Sequence, residues 1–273
     1  MKALVTGGAG FIGSNICAAL LEHGADVTVL DNFSSGWRAN LERLSGIRVE
    51  RGDVRDAHTV AKAMDGCDTV FHLAASVGNK RSIDHPHVDT AINVQGTLNI
   101  LMAARDRGVE KLVVSSSAGI YGELKTIPIR EDHPLDPLTP YGVSKLYTEK
   151  MSLAFARTYG MEAICLRYFN VYGPNEYHKG GMRSVVSQMF DKLSAGETAT
   201  LFKSHHPDYE DGGQLRDFVW VGDVVDIIMW LYDNPQVSDL FNVGTGKARS
   251  FKDLALSVFS AIEDPMRFTE IES

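Results

Sequence analysis

Cysteine is scarce in this chain, and the three it has, Cys17, Cys67 and Cys165, stand far apart. An odd number of isolated cysteines supports neither a disulfide framework nor a zinc site, so each reads as buried apolar packing. No apolar run approaches the roughly 20 residues that cross a bilayer, so no membrane partner is expected. Basic residues are outnumbered: 27 Lys and Arg against 35 Asp and Glu give a formal charge of −8. That balance lacks the electrostatic footprint of nucleic-acid binding. Internal repeats, low-complexity tracts and long charge runs are missing too. The amino terminus enters an apolar run at once, without the pattern of a secretory leader, and the expected location is the cytoplasm. His178, His205 and His206 have no carboxylate or cysteine at ligand spacing, so they read as loop residues or substrate contacts and no metal is expected.

What is present is ordinary for a globular protein: 273 residues, 44% hydrophobic and 23% charged, enough to bury a full core. Its first segment is more specific. Lys2–Thr6 is a short apolar run that reads as a buried strand, and from Phe11 to Leu21 apolar residues fall at helical spacing. Between them lies Thr6-Gly7-Gly8-Ala9-Gly10-Phe11-Ile12-Gly13. Strand, glycine turn and helix form the setting of a dinucleotide fingerprint. Gly7 permits the turn, Gly10 lets the backbone approach a pyrophosphate, and Gly13 allows close helix–strand packing. The helix start, with Phe11 and Ile12, offers free N–H groups and positive potential to phosphates. A second strand, Asp26–Leu30, delivers Asp31 and Asn32, and an acid at this separation suits ribose hydroxyls. Asp31 would repel a 2′-phosphate and so favours NAD. Arg38, nearby in sequence, could pair with such a phosphate and leaves NADP open.

Strands and helices then alternate. Strands are expected at 47–51, with Asp53 and Val54 just beyond, and at 69–73, followed by Ala74 and Ala75, small enough for backbone contact with a cofactor. A helix over Thr90–Arg107 closed by Gly108, a strand at 111–115, a helix from Tyr141 to Tyr159 stopped by Gly160, a strand at 163–167 and a helix over 251–262 follow. The pattern is α/β, a doubly wound parallel sheet of the Rossmann kind, whose ligands bind outside the carboxyl ends of the strands. Leu73 and Ser115 fall at such ends and join the cofactor candidates.

Tyr141 and Lys145 are four residues apart and share a helical face. An ammonium beside a phenol would lower the phenol's usual pKa of about 10, readying Tyr141 to take a hydroxyl proton while hydride leaves the carbon beneath. Ser117, at a strand end, could hydrogen-bond the same substrate oxygen.

With the glycine stretch, Asp31, the serine cluster 115–117 and Tyr-x-x-x-Lys in place, the chain resembles the extended short-chain dehydrogenase/reductase family of nucleotide-sugar epimerases and dehydratases, over essentially its whole length. The resemblance implies cofactor contacts from Asn93 and from Tyr168, with Phe169 near the nicotinamide and Asn170 facing a sugar nucleotide. These residues stand in Arg167-Tyr168-Phe169-Asn170-Val171-Tyr172-Gly173-Pro174, which is similar to the family's turn into its substrate domain. Arg216-Asp217-Phe218-Val219 resembles the segment whose arginine grips the substrate diphosphate. Dehydratases of the family carry Thr-Asp-Glu where this chain has Ser117-Ala118-Gly119, so epimerisation is expected.

From Asp31 through Tyr172 the sequence is most similar to UDP-hexose 4-epimerases. After Pro174, the stretches around His178 and Lys179, Leu201-Phe202-Lys203 and Asp211–Val219 resemble ADP-glycero-manno-heptose 6-epimerase. There the resemblance implies that Lys179 is a second base and His178 a substrate contact, and the two halves invite the idea of a junction between relatives. The expected division is a cofactor domain over 1–173 with returns around 215–245. The resemblance implies a small substrate part over 174–214 and 246–273, either short in itself or, beside the family's usual length, incomplete. The reading is an NAD(P)-dependent nucleotide-sugar epimerase working through a transient ketone. A non-catalytic cofactor-binding sensor or scaffold and a net dehydrogenase are the alternatives. By resemblance, helices 90–107 and 141–159 would pair copies into a homo-oligomer.

Overall fold

The computed structural model describes residues 1–205, 207–234 and 236–263. Its strands, in chain order, begin with β1 (Lys2–Thr6), β2 (Asp26–Asp31), β3 (Arg48–Arg51), β4 (Thr69–His72), β5 (Lys111–Ser117) and β6 (Glu162–Tyr168). Then come β7 (Asn170–Tyr172), β8 (Leu215–Arg216), β9 (Phe218–Trp220), β10 (Leu240–Val243) and β11 (Arg249–Ser250). The helices are α1 (Phe11–Glu22), α2 (Ala57–Ala63), α3 (Asn79–Asp84), α4 (Pro86–Thr90), α5 (Gly96–Arg107), α6 (Pro140–Tyr159), α7 (Val185–Ser194), α8 (Val221–Asp233) and α9 (Phe251–Glu263).

Seven strands make one sheet in the order β3-β2-β1-β4-β5-β6-β10, every neighbouring pair parallel. Parallel neighbours require crossovers, and the helices between strands cover both faces. The strand sequences are accordingly apolar on both sides: Ala3, Leu4 and Val5 are fully buried, as are Val27, Val29 and Leu30. One face packs Val5, Val29, Phe71 and Ile164 against α1 and α8 through Ile16, Leu20, Val224 and Ile228. The other packs Leu4, Val70 and Leu112 against α2 and α5 through Val60, Ile100 and Leu101. The strand order reverses between β1 and β4, and the carboxyl ends on either side of that point form a crevice.

Two helix ends follow from local chemistry. Thr139 caps α6, its hydroxyl oxygen accepting the Gly142 N–H at 3.2 Å, with Pro140 in the first turn. Gly160 ends that helix in a left-handed conformation (φ 72°).

The expected single helix over 90–107 is instead α4, a π-helical turn at Ala91–Gln95, and α5. The reason is a polar side chain at the break. Asn93 bonds the backbone of Ser76 in both directions, at 2.8 and 3.0 Å, and its own carbonyl accepts the Thr97 hydroxyl at 2.6 Å. A widened turn of this kind lets the helix hold a side chain where a regular one would turn it away.

Outside the main sheet, β7 pairs with β9 in parallel and β8 with β11 antiparallel, and α7 lies against α9. Of the segments after Gly173, the turn at Tyr177–Met182 reaches the crevice.

Candidate active site

A cleft of about 510 Å³ opens at the carboxyl ends of β1, β2, β4, β5 and β6. Its floor is the glycine loop. Gly7 has φ 70°, donates its N–H to Leu30 O at 2.9 Å and accepts the Gly10 N–H at 3.0 Å. A methyl group at Gly13 would overlap the Gly7 carbonyl, so the first turn of α1 lies tight on the loop only because both positions lack side chains. Gly10 caps α1 without a side chain, leaving the helix N-terminus facing the cleft with Phe11, Ile12 and Gly13 on its wall. That is a cradle for a diphosphate.

Asp31 ends β2 and is buried, its carboxylate accepting the N–H groups of Ala9 (3.0 Å) and Phe33 (2.8 Å). Burial raises its pKa and the two backbone bonds oppose the rise. Beside it Asn32 donates to Asp53 at 2.8 Å, and Arg55 grips Asp53 with two bonds that hold its carboxyl well below the usual range. Val54, Leu73, Ala74 and Ala75 continue the lining.

The chemistry sits where β5 meets α6. Lys145 is buried and donates from Nζ to the Ser115 carbonyl oxygen at 2.7 Å. Burial pushes Tyr141 up to about 12, with the neighbouring Ser117 side chain working against the rise, and pulls Lys145 down to about 8. Burial dominates the phenol's shift, and the Lys145 ammonium rests on the Ser115 carbonyl oxygen beside it.

His178 and Lys179 reach the cleft from a turn at Tyr177–Met182. His178 lies 3.3 Å from the Asn40 amide, and burial lowers its pKa. Lys179 stands 5.1 Å from the centre of the Phe11 ring and 3.9 Å from the buried Glu176 carboxylate, and its pKa is likewise lowered by burial. Tyr168, buried at the end of β6, completes the lining among the expected residues.

Four expected residues lie elsewhere. Arg38 is exposed, its guanidinium 5.1 Å from the Phe33 ring centre. Asn93 is buried within the π-helical turn, bonded to Ser76, Asp89 and Ser144. Asn170 donates to the Asp217 carbonyl at 2.9 Å, and Arg216 donates to the Leu215 carbonyl at 2.7 Å with its guanidinium 5.9 Å from the Phe251 ring centre. Sequence reading also missed lining residues, among them Ser34, Gly36, Val77, Arg81, Ile92 and Met182. Only Gly36 carried a signal, a glycine soon after Asp31 whose missing side chain admits the Ala9 backbone.

Among the described residues no group of three or more His, Cys, Asp and Glu could hold a metal, and His206 lies outside those residues. No described helix is long and apolar enough to cross a membrane.

A doubly wound sheet with a glycine cradle at its switch point and a Tyr-x-x-x-Lys helix beside it defines a nicotinamide-dependent enzyme. A family model, the NAD dependent epimerase/dehydratase family, matches residues 3–244. The chain belongs to this family, and NAD is its cofactor. It is 38% identical over 253 residues to a putative UDP-glucose 4-epimerase of Methanocaldococcus jannaschii, spanning 92% of this chain and 79% of that one. It is 37% identical over 268 residues to an ADP-L-glycero-D-manno-heptose-6-epimerase of Nitratidesulfovibrio vulgaris, spanning 95% and 81%. Among solved structures, UDP-glucose 4-epimerase of Thermus thermophilus in complex with NAD superposes with a TM-score of 0.87 at 37% identity, over 96% of this chain and 84% of that one.

Proposed function

We propose that the protein inverts one carbon of a nucleotide sugar through a transient ketone, with NAD retained throughout. The carrying observation is that Ser117, Tyr141 and Lys145, the last anchored on Ser115, share one cleft with the Gly7–Gly13 cradle. NAD, held by that cradle and by the Asp31 and Asn32 edge, supplies a hydride acceptor that returns what it takes. Tyr141 exchanges a proton with the sugar hydroxyl, Ser117 holds the same oxygen, and the buried Lys145 fixes the helix face and adds positive charge. Ser117-Ala118-Gly119 offers no carboxylate for eliminating water, which favours inversion over dehydration.

Lys179 favours an ADP-heptose substrate inverted at C6 over a UDP-hexose inverted at C4. It enters the same cleft, and burial brings its neutral amine within easier reach, as a second base requires. Incubation with ADP-glycero-manno-heptose, UDP-glucose and UDP-galactose, each with NAD and with NADP, and product analysis by NMR tests the reading. Inversion at one carbon without net NADH supports it and names the sugar. Stoichiometric NADH would mark a dehydrogenase, and cofactor binding without turnover a sensor or scaffold.

Copies of the chain are proposed to associate through the outer faces of α5 and α6, where Met102, Val143 and Tyr159 are exposed. Three buried free cysteines fit a reducing compartment, in line with a cytoplasmic location.

A further inference from the structure

The turn that carries Lys179 is built around a buried acid. Glu176, just before that turn, is 2% exposed. Its Oε1 accepts the Gly173 N–H at 3.3 Å and the Ser184 hydroxyl at 2.6 Å, and its Oε2 accepts the Ser184 N–H at 2.6 Å. One carboxylate thus ties the residue after β7 to the cap of α7. Lys179 follows one turn on. Its N–H donates to the Glu176 carbonyl at 3.0 Å, and its Nζ lies 3.9 Å from Oε2. The same ammonium stands over the ring of Phe11, the first residue of α1 and part of the cleft wall beside the glycine cradle.

Other charged groups border the same corner, each with its own engagement. Burial lowers the His178 pKa and keeps the ring neutral, and Asp31 of β2 accepts the Ala9 and Phe33 N–H groups. Arg183 pairs with Asp191 of α7, and Lys145 of α6 rests on Ser115. Arg81 of α3 lines the cleft and is exposed. Among the described residues Lys179 and Glu176 are thus left to each other, the one ion pair either makes. The backbone before the turn has separate fastenings to α1. Asn15 donates to the Pro174 carbonyl at 3.1 Å, and Asn175 donates to the Ser14 hydroxyl at 3.1 Å, neither through Glu176.

We propose that Glu176 is a positioning residue whose fixed carboxylate draws the Lys179 ammonium inward over Phe11, to the rim of the cofactor cradle. Its bearing on turnover rests on the epimerase reading above, in which Lys179 is the second base, but the ion pair itself does not. An ion pair and a merely structural role differ in sign. Loss of the charge alone would leave Lys179 buried without its anion, and the ammonium would give up its proton at lower pH. Loss of the turn would release Lys179 into water, and its proton affinity would rise toward that of an exposed lysine.

The test is the pH dependence of Lys179 acylation by trace acetic anhydride in the NAD-loaded protein, read by mass spectrometry against the exposed Lys62 of the same molecules. Glu176→Gln, which keeps the shape, is expected to lower the Lys179 midpoint by about 0.5 pH unit or more. Ser184→Ala, which removes one bond to Oε1 and keeps the anion, should leave the midpoint in place. A midpoint that rises or stays put in Glu176→Gln overturns the proposal, as does an equal fall in Ser184→Ala. Where Glu176→Gln does not fold, Lys179→Met reads the pair from its other side. It strands the carboxylate, so the drop in Tm should be larger at pH 8 than at pH 5, where the acid can take up a proton, and equal drops overturn the proposal. Failure of both variants to fold assigns Glu176 to stability alone and overturns it too. No substrate is needed, so a lowered midpoint in a protein without epimerase turnover would sink the functional reading and leave this one standing.

Discussion

Tyr141 carries the most demanding claim. Tyr141→Phe should reduce turnover by about 10²- to 10⁴-fold while NAD binding, followed by fluorescence titration, stays near wild type. A second residue, His72, makes a statement about pH. It is buried between Thr6 Oγ1 (2.8 Å from Nδ1) and Thr97 Oγ1 (3.1 Å from Nε2), and burial lowers its pKa from 6.5 to about 3. Between those values the unfolded chain takes a proton that the folded one refuses. Its contribution is therefore complete above pH 6.5 and declines as pH falls toward 3, by a few kcal/mol in order of magnitude. Urea melts at pH 7 and pH 5 should show this loss, and His72→Asn should narrow the gap between them.

Elements were legible where the local chain decides them. The glycine loop, the stop of α6, and the apolar strands β1 to β6 declare themselves within a few residues, because turn geometry and two-sided burial act locally. The break at Ala91–Gln95 did not, since it depends on Asn93 meeting Ser76, seventeen positions away in sequence. The placement of Arg216 and Asn170 outside the cleft lining has a related cause: sequence places a residue on a strand but cannot say that a neighbouring carbonyl takes its side chain. The mouth of the cleft, with Arg81 and Met182, assembles from segments a hundred residues apart and left no local pattern. At this scale Gly13→Ala is the sharpest probe. The added methyl would meet the Gly7 carbonyl, lifting α1 from its loop, with an expected loss of about 1–3 kcal/mol and of most NAD affinity, both measurable by melting with and without NAD.

Across the molecule, a buried network ties the sheet together. Arg167 on β6 bonds Glu149 on α6, the Tyr121 hydroxyl (2.6 Å) and the Glu131 carbonyl (2.9 Å), while Tyr121 bonds Asn242 on β10. Arg167→Met should cost about 3–5 kcal/mol in denaturant melts by stranding Glu149, and Glu149→Leu added to it should recover part of that loss. Saturation with NAD at a hundredfold excess over Kd should stabilise the fold by about 2.7 kcal/mol, raising Tm by roughly 5–10 °C. The same wiring bears on how such enzymes can be recombined. The outermost strand β10 and the helix α8, both encoded after the substrate-side segments, belong to the main sheet and its core. A breeder of chimaeras who swaps everything after Gly173 would therefore also exchange a structural wall of the recipient's cofactor half. Grafting a new sugar preference cleanly takes two exchanges, one before β8 and one after β10, with the stretch between them left to its original owner.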